Sequence, residues 1–374
     1  MIFLNLLTLS FTNIQLFWIL KIPHVLSLLI YIKYKLWNSK IPSELFFIFI
    51  AYIFMTIASV INPSTEYFQD LVGISICIFI FITSYGLAKY IISIDLLLRY
   101  LFLTTLLTSV IALSFYFFEY LFSYDLRTIL GLKRDITSEF FGIKRNYGLY
   151  TEPGGFGYFY IALSGFLFIY FKNNLTMRTY VSFFIILASF LLTYSAGSFG
   201  IIVIAYIAAL VLVNKIAIHK FLIPAVFLGA ILFSLYSYLP PDLVAPLFNK
   251  LTISENHASS SNRLTAWSFG LTWINLGSPF GNGGGFIGQY FDHSLFNWFL
   301  DLAVKYGYLT AASIIAFFIS IFVKISKLRS SEKFFYYLSI LSIFGILLIV
   351  GVYHTVVYWL SLGIISALSE EKNV

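Results

Sequence analysis

Charged residues are scarce in this chain: Asp, Glu, Lys and Arg make up only 10% of its 374 residues. A soluble domain carries about a quarter charged residues, so this scarcity excludes a soluble globule. Hydrophobic residues account for 60% of the sequence, which indicates an integral membrane protein. The net charge of +7 does not predict a nucleic-acid partner, because the basic residues are scattered between apolar runs rather than clustered.

Cysteine and metal-binding patterns are also lacking. The one cysteine, Cys77, lies in an apolar run and cannot form an internal disulfide. No Cys, His and carboxylate cluster has metal-ligand spacing, so we expect neither a metal nor another cofactor. Neither G-x-S-x-G nor H-E-x-x-H occurs, which leaves a protease or an ATPase unsupported. Without a repeat or a linker, residues 1–374 are predicted to form a single transmembrane domain.

Apolar runs of the roughly 17–25 residues needed to cross a bilayer are abundant, and they predict an all-α polytopic membrane protein of about twelve transmembrane helices. The predicted spans are residues 2–20, 23–37, 43–61, 71–90, 96–122, 153–171, 179–194, 199–213, 219–239, 294–323, 334–350 and 355–368. No basic region precedes the first run, so we predict that it is a retained span rather than a signal peptide.

Lys and Arg concentrate in alternate connections between the spans, which places those connections and both termini in the cytoplasm. Two outside loops, residues 123–152 and 240–293, nevertheless carry basic residues. Because the insertion bias opposes basic residues in translocated loops, we predict that these loops have a function. The alternative is that acidic residues in the same loops neutralise them and leave a merely solvated surface.

In the first loop, Pro153 predicts that a helix starts just after Thr151 or Glu152. The glycines that follow would let another backbone or a ligand approach closely. A cation such as Arg145 beside a helix N-terminus is repelled unless an anion lies between them. Glu152 could simply complement the helix dipole.

In the second loop, helical spacing predicts a short surface helix over residues 243–251, and a new helix capped by Ser261 or Asn262. Arg263 would then fall in the first turn, where a guanidinium beside free backbone N–H groups suits a phosphate. Pairing with Glu255 or snorkelling to lipid headgroups is the alternative. The predicted apolar face of the new helix consists of Leu264, Trp267, Leu271 and Ile274.

A glycine-rich turn, residues 281–288, follows. It formally matches G-x-G-x-x-G, but no strand precedes it, so close approach to a neighbour or ligand is the better account. His293 opens the next predicted span, with Asn297, Asp301 and Lys305 on the same helical face. Asp301 and Lys305 could neutralise each other, whereas an imidazole at the membrane boundary can transfer a proton near neutral pH.

The motifs, in chain order, are Arg145-x-x-Gly148-x-x-x-Glu152-Pro153, Leu192-Thr193-x-Ser195, Arg263-x-x-x-Trp267, Pro279-x-Gly281-x-Gly283, and His293 before a span. From about residue 145 onward, this order resembles the O-antigen polymerase and ligase superfamily of bacterial inner-membrane proteins. The chain departs from the family pattern at Ala196, where members often carry an arginine, so any role of that arginine is in doubt here.

The resemblance implies a metal-independent, membrane-embedded glycosyltransferase of the type C-like kind, with its active site in the periplasm. Its substrates would be undecaprenyl-pyrophosphate-linked oligosaccharides, and membrane lipid and a chain-length regulator protein would be its partners. Arg263 and Arg145 would contact the pyrophosphates, and His293, or else Glu152, would activate the acceptor hydroxyl. The residues assigned to substrate binding are Arg134, Lys144, Asn262 and Asn297.

Three functions remain open at this point. A polymerase extends lipid-linked repeats, and the short outer loops fit it somewhat better than a ligase, which transfers finished chains to lipid A core. A flippase or other transporter of lipid-linked oligosaccharides would also have many spans. A transporter should contain inverted repeats and ionisable groups near the bilayer midplane. The notable charges of this sequence instead lie at the outer boundary.

Overall fold

The computed structural model of the protein describes residues 15–17, 20–38, 40–123, 125–126, 139–140, 143–150, 152–214, 258–276, 279–291, 294–328, 331–351, 353 and 355–371. The predicted span 219–239, most of the predicted span 2–20 and the predicted surface helix 243–251 lie outside these residues. The candidate residues Arg134 and His293 lie outside them as well.

The described chain is predominantly helical. Its α-helices are α1 (Ile22–Lys33), α2 (Leu45–Ile61), α3 (Thr65–Gly86), α4 (Ile94–Phe122), α5 (Pro153–Asn173), α6 (Met177–Leu191), α7 (Ala196–Asn214), α8 (Ala258–Leu276), α9 (Trp298–Tyr306), α10 (Tyr308–Lys327), α11 (Lys333–Ile349) and α12 (Val356–Glu371). Leu87–Ile91 extends α3 as a π-helical turn, and Leu36–Asn38 and Ile287–Gln289 are short 3₁₀ helices. Two antiparallel pairs of very short strands complete this part of the chain: β1 (Gln15–Phe17) with β2 (Leu20–Lys21), and β3 (Glu139–Phe140) with β4 (Ile143–Lys144).

Among the described residues, five helices are long and apolar enough to cross a membrane: α3 with its extension, α4, α5, α7 and α10. The shortest of them has 18 residues. At about 1.5 Å per residue it covers about 27 Å, close to the hydrocarbon thickness of a bilayer. By helix length and composition, the chain is a membrane protein of predominantly helical fold, as the sequence predicts.

The predicted span 294–323 is wrong as a single helix. The chain forms α9 and α10 instead, and the break falls at Gly307, whose φ is +86°. A Cβ at this position would lie 1.8 Å from the carbonyl oxygen of Pro279, so the backbone just before the glycine-rich turn passes where a side chain would be. Hydrophobic periodicity is nearly continuous through the break, which is why it predicts one helix.

The first two predicted spans also differ from the structure. Part of the predicted first span, Gln15–Phe17, is a strand paired with Leu20–Lys21. The predicted second span, residues 23–37, is a helix of only 12 residues, about 18 Å long, which is too short to cross a bilayer alone. The helix stops because Lys35 adopts a left-handed conformation, with φ at +51°.

The core is built where helices approach closely. Helix α3 packs along α12, and α11 packs along both α5 and α7. A Cβ at Gly165 would lie 2.1 Å from the carbonyl oxygen of Phe335, and one at Gly363 would lie 2.4 Å from that of Phe81. Such contacts are possible only for glycine, the residue that membrane helices use for close packing.

Charged groups join four helices at one end of the bundle. Lys324 on α10 lies 2.6 Å from the buried carboxylate of Glu44 and also pairs with Glu370 on α12. Lys89, in the extension of α3, pairs with Glu370 as well. Lys89 and Lys324, which the sequence predicts to lie on the same side of the membrane, thus share the carboxylate of Glu370.

Candidate functional site

Asn146 anchors the end of the first loop to α6. Its side chain donates to the carbonyl oxygen and the hydroxyl of Ser189, at 3.2 and 3.0 Å, and accepts from the backbone N–H of Gly148. Its backbone N–H donates to the carbonyl oxygen of Leu192. The side chain is 2% exposed. Sequence reasoning missed this residue, although an Asn two residues before a glycine is a common turn signal.

Arg145 binds the turn that follows α6. Its Nε donates to the carbonyl oxygen of Thr193 at 3.0 Å, and its Nη2 donates to that of Tyr194 at 3.1 Å. These two carbonyl groups lie just past the C-terminal end of α6, where the helix dipole favours a cation. Burial lowers the pKa of Arg145 from its ordinary value, while Tyr147 and Glu152 oppose that shift. Arg145 therefore holds the loop in place, a role that the sequence did not predict.

The helix start at Pro153 is confirmed. Pro153 is the first residue of α5, and Glu152 is its N-cap, with an exposed side chain that makes no capping hydrogen bond. The glycines of the first turn do allow close approach. A Cβ at Gly157 would lie only 2.2 Å from the hydroxyl oxygen of Ser198 on α7.

The two loops meet at Tyr158, one turn into α5. The guanidinium of Arg263 lies close enough to the hydroxyl of Tyr158 to interact with it, and the charges of Glu152 and Arg145 also act on that hydroxyl. Tyr158 itself is 8% exposed. The structure thus brings together three of the four predicted catalytic residues, and Tyr158 is a functional candidate that sequence reasoning missed. The available signal was its position four residues after Gly154, on the same face of the helix.

Arg263 is not in the first turn of its helix. Helix α8 begins at Ala258, so the predicted caps, Ser261 and Asn262, lie inside the helix. The prediction that helix N–H groups assist Arg263 is therefore wrong. Its guanidinium instead lies 5.5 Å from the ring centre of Phe296. Its Nε and the Nε1 of Trp267 are buried donors for which the described residues provide no acceptor.

The face that α8 buries differs in part from the predicted one. Leu264 and Leu271 are 37% and 59% exposed. Trp267 and Ile274 do pack inward, as predicted, together with Ala266. The inward face follows the contact of α8 with α9, which hydrophobic spacing alone does not locate.

Three residues predicted to bind substrate lie among the described residues. Lys144 pairs with Glu119 on α4, with its Nζ 3.7 Å from a carboxylate oxygen. Asn297 caps α9, since its side-chain oxygen accepts from the backbone N–H of Leu300 at 3.0 Å. Asn262 is exposed on α8. Lys144 and Asn297 thus have structural contacts, and a substrate role for all three stays a prediction.

The glycine-rich turn contacts a neighbour, as predicted. Its residues 281–288 pack on the N-terminal end of α3, and the amide of Asn62 donates to the carbonyl oxygen of Gly281 at 3.1 Å. Lys305 also reaches α3, with its Nζ 3.2 Å from Asp70 and 3.7 Å from Glu66. The predicted outside connection around residues 62–69 and residues 281–288 of the second loop therefore lie together.

Within the described residues, no group of three or more His, Cys, Asp or Glu side chains is placed to hold a metal ion. The arrangement around Tyr158 instead combines two guanidiniums with a carboxylate, groups suited to an anion and to a proton. No protein-family model and no curated protein matches this chain.

Proposed function

We propose that this protein is an O-antigen polymerase of the bacterial inner membrane. It joins undecaprenyl-pyrophosphate-linked oligosaccharide repeats on the periplasmic face and releases the lipid pyrophosphate. The observation that carries the proposal is the convergence of Arg145, Glu152 and Arg263 around Tyr158. Two guanidiniums from separate loops share a single carboxylate there, so the cluster keeps a net positive charge that favours a bound anion.

The reaction needs few groups. A hydroxyl of the acceptor sugar attacks the anomeric carbon of the donor chain, and the bond from that carbon to the pyrophosphate oxygen breaks. The proton of the hydroxyl passes to a base, His293 or Glu152. The departing pyrophosphate gains negative charge, which preorganised guanidiniums stabilise without any metal.

The contacts of the two arginines suggest different roles. Arg145 donates hydrogen bonds to two carbonyl groups, which hold its guanidinium in place. It therefore supplies a fixed positive charge. Arg263 keeps a buried Nε without an acceptor among the described residues, and a buried donor in that state needs a partner. We assign the direct phosphate contact to Arg263, with Tyr158 as the residue that positions it.

The proposal includes the membrane arrangement. The helical spans hold both termini in the cytoplasm and the two loops in the periplasm, where lipid-linked repeats are polymerised. The meeting of Lys89 and Lys324 at Glu370 supports a common cytoplasmic side for those connections. Membrane lipid and a chain-length regulator protein are the proposed partners.

Substitution of Arg263 tests the site. Arg263→Ala should slow chain extension by roughly 10²–10³-fold, the usual effect of removing one preorganised donor to a developing oxyanion. Arg263→Lys should recover little activity, because a lysine cannot form the two-pronged contact of a guanidinium. The measurement is glycan length formed by purified protein from a lipid-linked repeat, with Arg178→Ala as the exposed control.

Wild-type extension by Arg263→Ala would remove this residue from the site. If the unaltered protein neither lengthens the glycan nor releases lipid pyrophosphate, the polymerase proposal fails. A deletion strain separates the related reactions: core capped with a single repeat indicates loss of a polymerase. Uncapped core with polymer accumulating on the lipid carrier indicates a ligase.

A further inference from the structure

A cavity lies between the glycine-rich turn, the N-terminal end of α3 and α9. Its volume is about 260 Å³, and we call it the glycine-turn pocket. The residues that form its polar and aromatic walls are Glu66, Gly288, Phe291, Ser294, Asp301 and Lys305. At about 30 Å³ per water molecule, the pocket holds roughly nine waters, which is space for one sugar ring rather than a chain.

The charged groups of the pocket are fixed in place. Lys305 lies between Asp70 and Glu66, at 3.2 and 3.7 Å. Burial acts to lower the pKa of Lys305, but the carboxylates of Asp70, Asp301 and Glu66 raise it overall, so the amine stays protonated. One oxygen of Asp301 accepts from the backbone N–H of Leu295 at 2.8 Å, which holds this carboxylate against the pocket wall.

Glu66 has accepting capacity left for a ligand. It lies in the first turn of α3, where a carboxylate is favoured, and its side chain is 42% exposed. A carboxylate can accept about four hydrogen bonds, and the ion pair with Lys305 uses only part of that capacity. Its oxygen also borders the space that Gly288 leaves open: a Cβ there would meet this oxygen alone, at 3.2 Å.

The pocket adjoins the site around Arg263. Ser294 lines the pocket, and two residues later Phe296 lies under the Arg263 guanidinium. On the other side, the Phe291 ring of the pocket packs against Phe269 of α8, with the ring centres 5.0 Å apart. A group bound in the glycine-turn pocket would thus sit beside the proposed reacting centre.

We propose that the glycine-turn pocket binds one uncharged sugar ring, with Glu66 and Asp301 accepting from its hydroxyl groups and Lys305 donating to a ring or hydroxyl oxygen. A pocket lined by aromatic and small residues, with a few polar groups held in place, is typical of small-ligand sites. Three carboxylates, Glu66, Asp70 and Asp301, face one lysine, so the surplus of negative charge disfavours acidic sugars. The inference rests on the proposed function, in which this ring is the accepting sugar of the incoming repeat.

Sugar binding by purified protein tests the inference without requiring polymerisation. Saturation-transfer NMR would compare methyl glucoside, N-acetylglucosamine and glucuronate, each at millimolar concentration. We expect transfer to at least one uncharged sugar and markedly weaker transfer to glucuronate. Gly288→Val should fill the pocket without backbone strain, and Glu66→Gln should weaken binding by about tenfold or more, as hydrogen bonds to the charged carboxylate are lost.

Gly200→Val is the matched control, because a Cβ at Gly200 meets nothing within 4 Å. The melting temperature of each variant would show whether it folds. If Gly288→Val does not fold, Glu66→Gln tests the pocket in its place. No transfer to either uncharged sugar, or equal binding by wild type and both pocket variants, overturns the inference. Sugar binding without polymerisation supports the pocket and refutes the proposed function, whereas full polymerisation by Gly288→Val refutes the acceptor role of the pocket.

Discussion

Replacement of Arg145 by lysine should loosen the join between the first loop and the turn after α6. The guanidinium donates to the carbonyl oxygens of both Thr193 and Tyr194, at 3.0 and 3.1 Å. A lysine amine at the end of a flexible chain can reach one of them but cannot span both in the fork geometry. A hydrogen bond to a charged group contributes about 1.5–3 kcal/mol, so Arg145→Lys should destabilise the fold by about 2 kcal/mol and Arg145→Met by about twice that.

The assay is thermal or denaturant unfolding of the purified protein in detergent, run together with chain extension. Arg178→Lys is the control, since Arg178 is exposed at the opposite end of α6 and should tolerate the same change. If Arg145 served only to bind pyrophosphate, its variants would lose activity and melt like the unaltered protein. Equal stability of Arg145→Met and the unaltered protein would therefore refute the structural role assigned to Arg145.

Two further substitutions probe how the site is held. Asn146→Ala should destabilise the protein by about 2 kcal/mol or more, because it removes both bonds to Ser189 and leaves the buried backbone N–H of Gly148 without its acceptor; unchanged unfolding in denaturant would argue against this anchor. Gly157→Ala should cost about 1–3 kcal/mol, since the new methyl group would overlap Ser198. Gly200→Ala, with open space around it, should stabilise by up to about 1 kcal/mol, and equal melting temperatures for the two glycine variants would contradict this packing.

Local rules were enough for several features of this protein. Pro153 predicted the start of α5 because proline is preorganised for the first helical turn, and the structure confirms it. The glycines of residues 281–288 predicted a close approach, and they pack on α3. Each inference depends on the conformational preferences of a few neighbouring residues, which the sequence displays directly.

Other predictions failed where contacts from distant parts of the chain decided the outcome. The break at Gly307 depends on the passing backbone of Pro279, and hydrophobic spacing contains no trace of it. Helical spacing predicts that Lys305 interacts with Asp301, whose charge does act on it, but its closest carboxylate is Asp70 on α3. The spacing of residues along a helix shows which of them share a face of that helix. It does not show which residues of another helix they contact.

The sequence by itself determined that the protein belongs in a membrane, since its apolar content leaves no soluble alternative, and it marked Arg145, Glu152 and Arg263 as unusual. Only the tertiary structure decided that these residues meet at Tyr158. It also decided that Arg145 braces a turn while Arg263 keeps a donor free among the described residues. Composition and periodicity report the environment of each segment, but a shared site depends on helix packing, which arises from many weak contacts spread over the whole chain.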